Sequence, residues 1–210
     1  MLLMATRRHF ESNPMRRIFI IRHGNTFESS AAACRIGAGT DLPLVESGKA
    51  QADRLGQWFA EQKLTITSLY SSPLQRAAET AARIGAAIGR TSDGTLPWLN
   101  EIDHGPDEGR PEHEVTARIG EKALLDWDER GIAPDGWVVD PEKRIAAWQD
   151  WFAQAGEGAE LLVTSNGAAR FALLALGHSP ASLKLRTGAF GELAVNQNGS
   201  VSLLSWDQRP

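Results

Sequence analysis

Apolar and polar positions along the chain form two kinds of repeat, short β-like runs and longer helix-like stretches. The run RRIFII at residues 16–21 is β-branched and aromatic, which predicts a buried strand. At residues 47–62 the apolar residues Ala52, Leu55 and Phe59 fall on one face of a helix. Further strands are predicted at 66–70, 95–99, 161–164, 192–195 and 201–206, helices at 73–88, 111–130, 141–154 and 167–176, and a loop at 37–43.

This order of elements predicts an α/β fold. Strands that alternate with helices form a mostly parallel sheet with helices on both faces, a three-layer sandwich. The last two strands flank Asn198-Gly199, a strong hairpin signal. We expect one domain at residues 15–210, with a helical cap insertion at about 102–158. Residues 1–14 are predicted to be a flexible N-terminal extension, with Met15 as an alternative start.

Charge is distributed unevenly along the chain. The 210 residues carry a net charge of −4, yet residues 100–160 alone hold 16 acidic and 6 basic side chains, a net of −10. The remainder is therefore basic, at +6. A nucleic-acid-binding protein needs a continuous basic face, which this acidic segment interrupts. The pattern instead suits a local positive pocket for a small anion.

The N-terminal sequence and the cysteine content bear on location. The first apolar stretch is too short for a signal peptide and precedes the positive charges. No apolar run is long enough to cross a bilayer. Cys34 is the only cysteine, which excludes an internal disulfide framework and fits a reducing compartment. We therefore expect a cytoplasmic protein with no membrane partner; the oligomeric state is left open.

Chemically active side chains follow successive predicted strands. Arg22 and His23 follow the first strand, Arg76 lies shortly after the second, Glu101 follows the third, and Asn166 follows the fourth. In a parallel sheet these positions meet at one edge. Guanidinium groups bind oxyanions, and an imidazole among them can attack phosphorus. A carboxylate cannot help to hold an anion, so general acid catalysis is its natural role.

Four stretches resemble the motifs of one family. They are FIIRHGNT, RIGAGTDLPLVESGKAQA, LYSSPLQRAAETA and LNEIDHGPDEG. In this order they are similar to motifs of the histidine phosphatase superfamily, also called the phosphoglycerate mutase-like family. The resemblance covers about residues 15–206 and implies the phosphoglycerate mutase-like fold.

The resemblance also implies residue roles. His23 would be the nucleophile that forms a transient phosphohistidine, and Glu101 would protonate the leaving oxygen and then deprotonate the attacking water. Arg22 and Arg76 would bind the phosphoryl oxygens. We add Asn25, which follows the same strand as His23, and Asn166 as substrate-binding residues. No metal or organic cofactor is expected, and the partner would be a small phosphorylated molecule.

Asn166 departs from the family pattern. The family has a second histidine at this turn, which donates a hydrogen bond to the phosphoryl group. Asn166 is either the N-cap of the following helix or an amide donor to phosphate at the helix N-terminus. The histidines His104, His113 and His178 are expected to be structural or solvent-facing, although His104 is close enough to Glu101 to lean into the pocket.

Three functions follow. The first is a phosphatase that hydrolyses a small phosphomonoester through His23. The second, suggested by Asn166, is a catalytically impaired protein that binds a phospho-ligand. The third is a phosphoglycerate mutase, which is disfavoured because Phe27-Glu28-Ser29 stands where mutases often have Trp-Asn. The segment Asp107-Glu108-Gly109 also departs from the Trp-Glu-Gly that phosphatases often carry.

Two further features concern the pocket wall. Four of the seven tryptophans, Trp127, Trp137, Trp148 and Trp151, lie in the predicted insertion. They either pack the insertion against the body or form a wall for an apolar or sugar-like leaving group. The negative charge of the insertion disfavours highly anionic substrates. The loop with Lys184 and Arg186 should approach the same sheet edge, with Arg186 mainly at the surface.

Overall fold

A six-stranded sheet forms the centre of the protein. The computed structural model describes residues 16–29, 33–178 and 182–210. Strand order is β3-β2-β4-β1-β5-β6. The strands are β1 (Arg16–Arg22), β2 (Ile66–Ser71), β3 (Gly94–Thr95), β4 (Gly158–Thr164), β5 (Phe190–Val195) and β6 (Val201–Gln208). The first four strands in this order are parallel, whereas β5 and β6 pair antiparallel. The predicted α/β fold is confirmed.

Helices cover both faces of the sheet. They are α1 (Glu46–Glu61), α2 (Gln75–Ile88), α3 (Glu112–Ile119), α4 (Glu121–Arg130), α5 (Pro141–Phe152) and α6 (Asn166–Ala175). Successive residues of a strand face opposite sides of a sheet. In β1, Phe19 and Ile21 accordingly join the core beneath α1 and α2, while Ile18 and Ile20 join the core beneath α5 and α6. Residues 18–21 of this run (IFII) are therefore apolar at consecutive positions because both faces of the strand are buried.

Most observed elements begin or end within three residues of the predicted bounds, and three differences affect the site or the helix count. The helix predicted at 111–130 is two helices, because Gly120 adopts a φ of +84° that ends α3. The strand predicted at 95–99 is the two-residue β3 followed by a 3-10 turn at Pro97–Leu99. Helix α6 begins at Asn166, one residue earlier than predicted. The predicted extension at 1–14 and the alternative start Met15 lie outside the described residues.

The parallel register places the ends of three strands side by side. The N–H of His23 donates to the Thr164 carbonyl at 3.0 Å, and the N–H of Ser72 donates to the Val163 carbonyl at 2.9 Å. The carboxyl ends of β1, β2 and β4 thus form one edge. Within the predicted insertion, α3 and α4 contribute to the wall of a cavity at this edge, whereas α5 packs against α6. The limits of the insertion at 102–158 stay a prediction.

The start of β1 is tied to β4 by a buried ion pair. Arg16, only 1% exposed, donates from Nε and Nη2 to the two carboxylate oxygens of Glu160, each at 2.7 Å. Its Nη1 donates to the carbonyls of Trp151 and Gln154, each at 3.0 Å. Removing one partner of such a pair leaves an unpaired charge in the protein interior.

We therefore expect Arg16→Met to lower the free energy of unfolding by about 3 kcal/mol. The control is Arg83→Met, which removes a solvent-exposed ion pair with Asp53 and should cost less than about 1 kcal/mol. Urea denaturation of both variants measures the difference. Equal losses would contradict the structural role assigned to Arg16.

Candidate active site

The predicted site residues meet at the sheet edge. A cavity of about 690 Å³ opens there, and its wall includes Arg22, His23, Glu101 and Asn166. Arg76, on α2, is fully buried and in direct contact with His23. The parallel topology thus brings side chains from β1, α2, α6 and the segment after β3 into one place, as the sequence predicted.

His23 is held in one tautomer. Its Nδ1 lies 2.7 Å from the carbonyl oxygen of Gly24, which can only accept a hydrogen bond, so Nδ1 carries the hydrogen. Its Nε2 accepts a hydrogen bond from the Nε of Arg76 at 3.2 Å. A lone pair therefore remains on Nε2. This is the atom that a nucleophilic imidazole must present.

The surroundings of His23 also keep the ring neutral. Burial disfavours the imidazolium, and the positive charges of Arg22 and Arg76 disfavour it further. Together they lower the pKa of His23 well below its ordinary value, against the hydrogen bond to Gly24. The imidazole is unprotonated at neutral pH in a cavity whose fixed charges suit an anion.

Both guanidinium groups are anchored by backbone carbonyls. Arg22 donates from Nη1 to the Leu185 carbonyl at 2.8 Å, and Arg76 donates to the carbonyls of Thr40 at 2.6 Å and Gly37 at 3.1 Å. Carbonyl acceptors fix the orientation of a guanidinium group without cancelling its charge. Burial lowers the pKa of Arg22 to about 10, so it stays charged at neutral pH.

Glu101 lies at the N-terminus of α6. Its carboxylate accepts hydrogen bonds from the N–H of Gly167 at 3.2 Å and the N–H of Ile102 at 2.9 Å. Burial opposes its ionisation. The positive charge that His104 carries at low pH, the two N–H groups and the Arg76 guanidinium outweigh that effect, so the pKa of this carboxyl lies below its ordinary value. Glu101 is therefore ionised at neutral pH.

Gly167 is required for this approach. A Cβ at residue 167 would lie 2.1 Å from the Oε1 of Glu101, closer than atoms can pack. The absence of a side chain therefore lets the carboxylate reach the first turn of α6. Sequence reasoning placed Glu101 in the site but not its dependence on Gly167, although the glycine was visible in the turn Ser165-Asn166-Gly167.

Asn166 is not the helix cap. Ser165 occupies the N-cap position, and no side chain caps the helix there, so the N-cap interpretation of Asn166 is wrong. The Asn166 Oδ1 instead accepts a hydrogen bond from the N–H of Leu185 at 2.8 Å. That bond fixes the amide orientation, since only the oxygen can accept. The NH2 group has no acceptor among the described residues and remains available to an anion in the cavity, whose wall includes Asn166.

Asn25 and the loop after α6 are also at this edge. The Asn25 side chain accepts from Thr187 Oγ1 at 2.6 Å and donates to Ser47 Oγ at 3.3 Å, so its amide is used within the protein. Its role in substrate binding stays a prediction. Lys184 lines the cavity, whereas Arg186 is paired with Asp207 at 2.6 Å and is absent from the cavity wall.

The outer wall comes from α3 and α4. Trp127 is 1% exposed and forms part of the wall, with the buried Arg170 guanidinium 3.9 Å from its ring centroid. Trp137 and Trp148 are buried in the core cluster shared with α6. Among the histidines, His113 and His178 are exposed, and His104 is buried in the cavity wall. The sequence analysis did not identify Arg170, which packs on Trp127, or Leu185, whose backbone binds Arg22 and Asn166.

Within the described part of the chain, no helix has both the length and the apolar character needed to cross a bilayer. Over the same residues, no three or more His, Cys, Asp or Glu side chains are grouped so that they could hold a metal ion.

Comparisons with known proteins agree with this geometry. Residues 18–209 match the family model of the histidine phosphatase superfamily (branch 1). The chain belongs to this superfamily. A curated relative from Yersinia pestis (strain Pestoides F), named probable phosphoglycerate mutase GpmB, is 33% identical over 180 residues, which cover 82% of this chain and 81% of the relative.

Solved structures of phosphatases share the fold. The mycobacterial glucosyl-3-phosphoglycerate phosphatase matches with a TM-score of 0.73 and 21% identity, covering 91% of this chain and 98% of its own. The phosphoserine phosphatase from Entamoeba histolytica, solved with 3-phosphoglyceric acid, matches with a TM-score of 0.73 and 23% identity, covering 92% and 98%. At these identities the similarity establishes the fold, which is the predicted phosphoglycerate mutase-like one.

The neutral state of His23 is directly measurable. We expect its imidazole to remain unprotonated well below the pH at which an ordinary histidine titrates, because burial and two guanidinium groups lower its pKa. The measurement is a pH titration of the imidazole NMR signals, with His23 assigned by the signal lost in His23→Ala. A midpoint at or above about 6.5 would refute this electrostatic description.

The contact between Gly167 and Glu101 yields a second test. Gly167→Ala should displace the Glu101 carboxylate, so that phosphoryl transfer to poor leaving groups slows by about 10²-fold, the scale of general acid catalysis. Esters with good leaving groups, such as p-nitrophenyl phosphate, need less protonation and should lose much less. Steady-state kinetics on an alkyl and an aryl phosphate provides the comparison. A uniform loss on both would show that Glu101 is not the group affected.

Proposed function

We propose that this protein is a phosphatase that hydrolyses a small phosphomonoester through a phosphohistidine at His23. The observation that carries the proposal is the state of the imidazole. Its Nδ1–H is fixed by the Gly24 carbonyl, which leaves the Nε2 lone pair beside the Arg76 guanidinium. A neutral nucleophile in a cationic cavity is the combination that attack on a phosphate dianion requires.

The reaction proceeds in two steps. In the first, the lone pair of His23 Nε2 attacks phosphorus, the bond from phosphorus to the ester oxygen breaks, and Glu101 gives its proton to the leaving alkoxide. In the second, water attacks the phosphohistidine, Glu101 removes a proton from that water, and the N–P bond breaks to release inorganic phosphate. Arg22 and Arg76 bind the phosphoryl oxygens in both steps. Arg76 exchanges its hydrogen bond to Nε2 for one to the phosphoryl group.

The acid role requires Glu101 to gain a proton when substrate binds. The groups around Glu101 keep this carboxyl ionised at neutral pH, with its pKa below the ordinary value. A phosphate dianion in the cavity brings a second negative charge close to the carboxylate and offsets the Arg76 guanidinium. Both changes raise the pKa of Glu101, so substrate binding itself drives uptake of the proton that is later transferred.

Asn166 is part of this proposal as a neutral phosphoryl donor. Its NH2 group stands where the family pattern has a second histidine, and the hydrogen bond from Leu185 holds it in place. Losing an oxyanion donor costs roughly 10²–10³-fold in rate, and replacing a charged donor by a neutral one should cost less. Slow turnover is therefore expected. The alternative, suggested by the same residue, is a protein that binds a phospho-ligand without cleaving it.

A mutase is the other candidate, favoured by the name of the Yersinia relative. Its substrates carry further anionic groups, which need cations away from the reacting phosphate. In the outer cavity, Arg35 is paired with Glu112, and Lys184 is paired with Asp128 at 3.3 Å. Such pairing suits a leaving group without strong negative charge and supports hydrolysis over the mutase reaction.

The test is phosphate release from p-nitrophenyl phosphate, glycerol 1-phosphate and ribose 5-phosphate. Wild type should release phosphate, and His23→Ala should not. Asn166→Asp retains the acceptor for the Leu185 N–H but loses the NH2 donor and adds a negative charge, so its rate should fall by about 10²-fold or more. Thermal unfolding of each variant confirms folding.

Two other results would favour the alternative functions, a phospho-ligand-binding protein or a mutase. A silent wild type that binds orthovanadate, together with an active Asn166→His variant, would favour the binding protein. Conversion of 3-phosphoglycerate to 2-phosphoglycerate in the presence of 2,3-bisphosphoglycerate, without net phosphate release, would favour the mutase.

A further inference from the structure

A second imidazole lies in the cavity wall and has no part in the mechanism above. His104 follows Glu101 by three residues and immediately precedes the 3-10 turn at Gly105–Asp107. Its side chain lines the cavity, yet the residue is only 4% exposed. Buried polar groups normally have hydrogen-bond partners, so the partner of each ring nitrogen of His104 has to be identified.

The ring is held in a single orientation. It packs edge-to-face on Trp137, with ring centroids 4.5 Å apart and planes at 88°. Trp137 is itself fixed, because its indole N–H donates to Asp107 at 2.7 Å. On another side the ring lies against Gly37, where a Cβ would come within 2.8 Å of His104 Nδ1. The imidazole therefore cannot swing away from the cavity without disturbing packed neighbours.

The two nitrogens of His104 have different surroundings. Nδ1 is fully enclosed and has no hydrogen-bond partner. An N–H enclosed without an acceptor is costly, so the neutral ring carries its hydrogen on Nε2. Burial lowers the pKa of His104 to about 4 despite the nearby Glu101 carboxylate, so the ring is neutral at neutral pH. No described residue accepts a hydrogen bond from Nε2, which leaves an oriented N–H donor without a protein partner at the cavity wall.

The location of His104 indicates which part of a ligand it meets. In the proposed reaction, the phosphoryl oxygens are bound at the strand edge by Arg22, Arg76 and Asn166. His104 lies near Glu101, the residue that would protonate the leaving oxygen. The Trp137 ring contacts both the His104 ring and the ring of Trp127, another residue of the cavity wall, with centroids 4.5 and 5.5 Å apart. The donor therefore lies on the leaving-group side of the cavity.

The charge of that side restricts the ligand further. The cations Arg35 and Lys184 already have carboxylate partners in Glu112 and Asp128, so a charged leaving group would compete with existing ion pairs. A neutral N–H donor such as His104 matches an uncharged oxygen, for example that of a hydroxyl group.

We propose that His104 is a specificity-determining residue, which donates its Nε2–H to an uncharged oxygen of the leaving group. The substrates are then phosphomonoesters of hydroxylated, polyol- or sugar-like alcohols. This inference rests on the proposed function for the assignment of the leaving-group side. It extends that function, because neither the nucleophile nor the phosphoryl donors distinguish one alcohol from another.

The kinetic test compares esters with and without such an oxygen, namely glycerol 1-phosphate and ribose 5-phosphate against propyl phosphate. Wild type should have a kcat/KM at least about 10-fold higher for one or both hydroxylated esters, the scale of one well-placed hydrogen bond. His104→Phe retains a ring that can pack on Trp137 but lacks the donor. It should remove most of this preference, because kcat/KM should fall more for the hydroxylated esters than for propyl phosphate.

Two controls separate specificity from structure. His104→Gln, whose amide nitrogen can take the place of Nε2, should retain part of the preference. His113→Phe changes an exposed histidine on α3 and should leave the preference intact. Equal losses on hydroxylated and propyl esters in His104→Phe, or a preference that survives in this variant, would overturn the proposal.

A binding experiment keeps this inference distinct from the proposed function. If wild type releases no phosphate from any ester, hydrolysis is refuted, and calorimetric titration of His23→Ala with the same three esters decides the role of His104. A hydroxylated ester should bind about 10-fold more tightly than propyl phosphate, and His23→Ala/His104→Phe should lose that difference. Equal affinities, or no binding of any ester, would refute the role of His104.

Discussion

The site depends on two guanidinium groups that are buried beside an imidazole and that have no carboxylate within ion-pair distance among the described residues. Burying a charge is costly unless polar groups compensate for lost water. Here backbone carbonyls of Leu185, Thr40 and Gly37 do so, and the positive charge is left in place. The consequence is a cavity that repels a proton from His23 and attracts an anion. The depressed pKa of the imidazole follows from this arrangement, and so does the proposal that the cavity binds a phosphoryl group.

The backbone of one residue, Leu185, connects the two halves of this arrangement. The carbonyl of Leu185 accepts from Arg22, and its N–H donates to Asn166, so a loop segment links the end of β1 to the start of α6. The same helix start supplies the Gly167 N–H to Glu101. The N-terminus of α6 thus orients the amide donor and stabilises the ionised acid. A displacement of the loop that contains Leu185 would disturb both Arg22 and Asn166. Leu185 is therefore important for the site although its side chain is not reactive.

The cavity divides into two electrostatic regions. At the strand edge, the guanidinium groups of Arg22 and Arg76 have no ion-pair partner among the described residues, and in the proposed reaction they bind the phosphoryl group. Toward α3 and α4, the cations Arg35 and Lys184 are matched by carboxylates, and the wall also includes Trp127 and the neutral His104. The net charge of −10 over residues 100–160 is consistent with this division, because it offsets positive charge away from the strand edge. Under the two proposals, phosphate affinity and selection of the alcohol would therefore depend on different residues.

The sequence by itself determined the elements with strong local periodicity and the set of reactive residues. Strand β1 and helix α2 follow from their apolar patterns, and parallel topology required Arg22, His23, Glu101 and Asn166 to converge. Only the tertiary structure decided what these groups contact. The acceptor role of Asn166 depends on Leu185, 19 residues away, and the enclosure of His104 depends on Trp137 and Gly37 from distant segments. Hydrogen bonding and burial of this kind arise from long-range packing, and no local pattern encodes them.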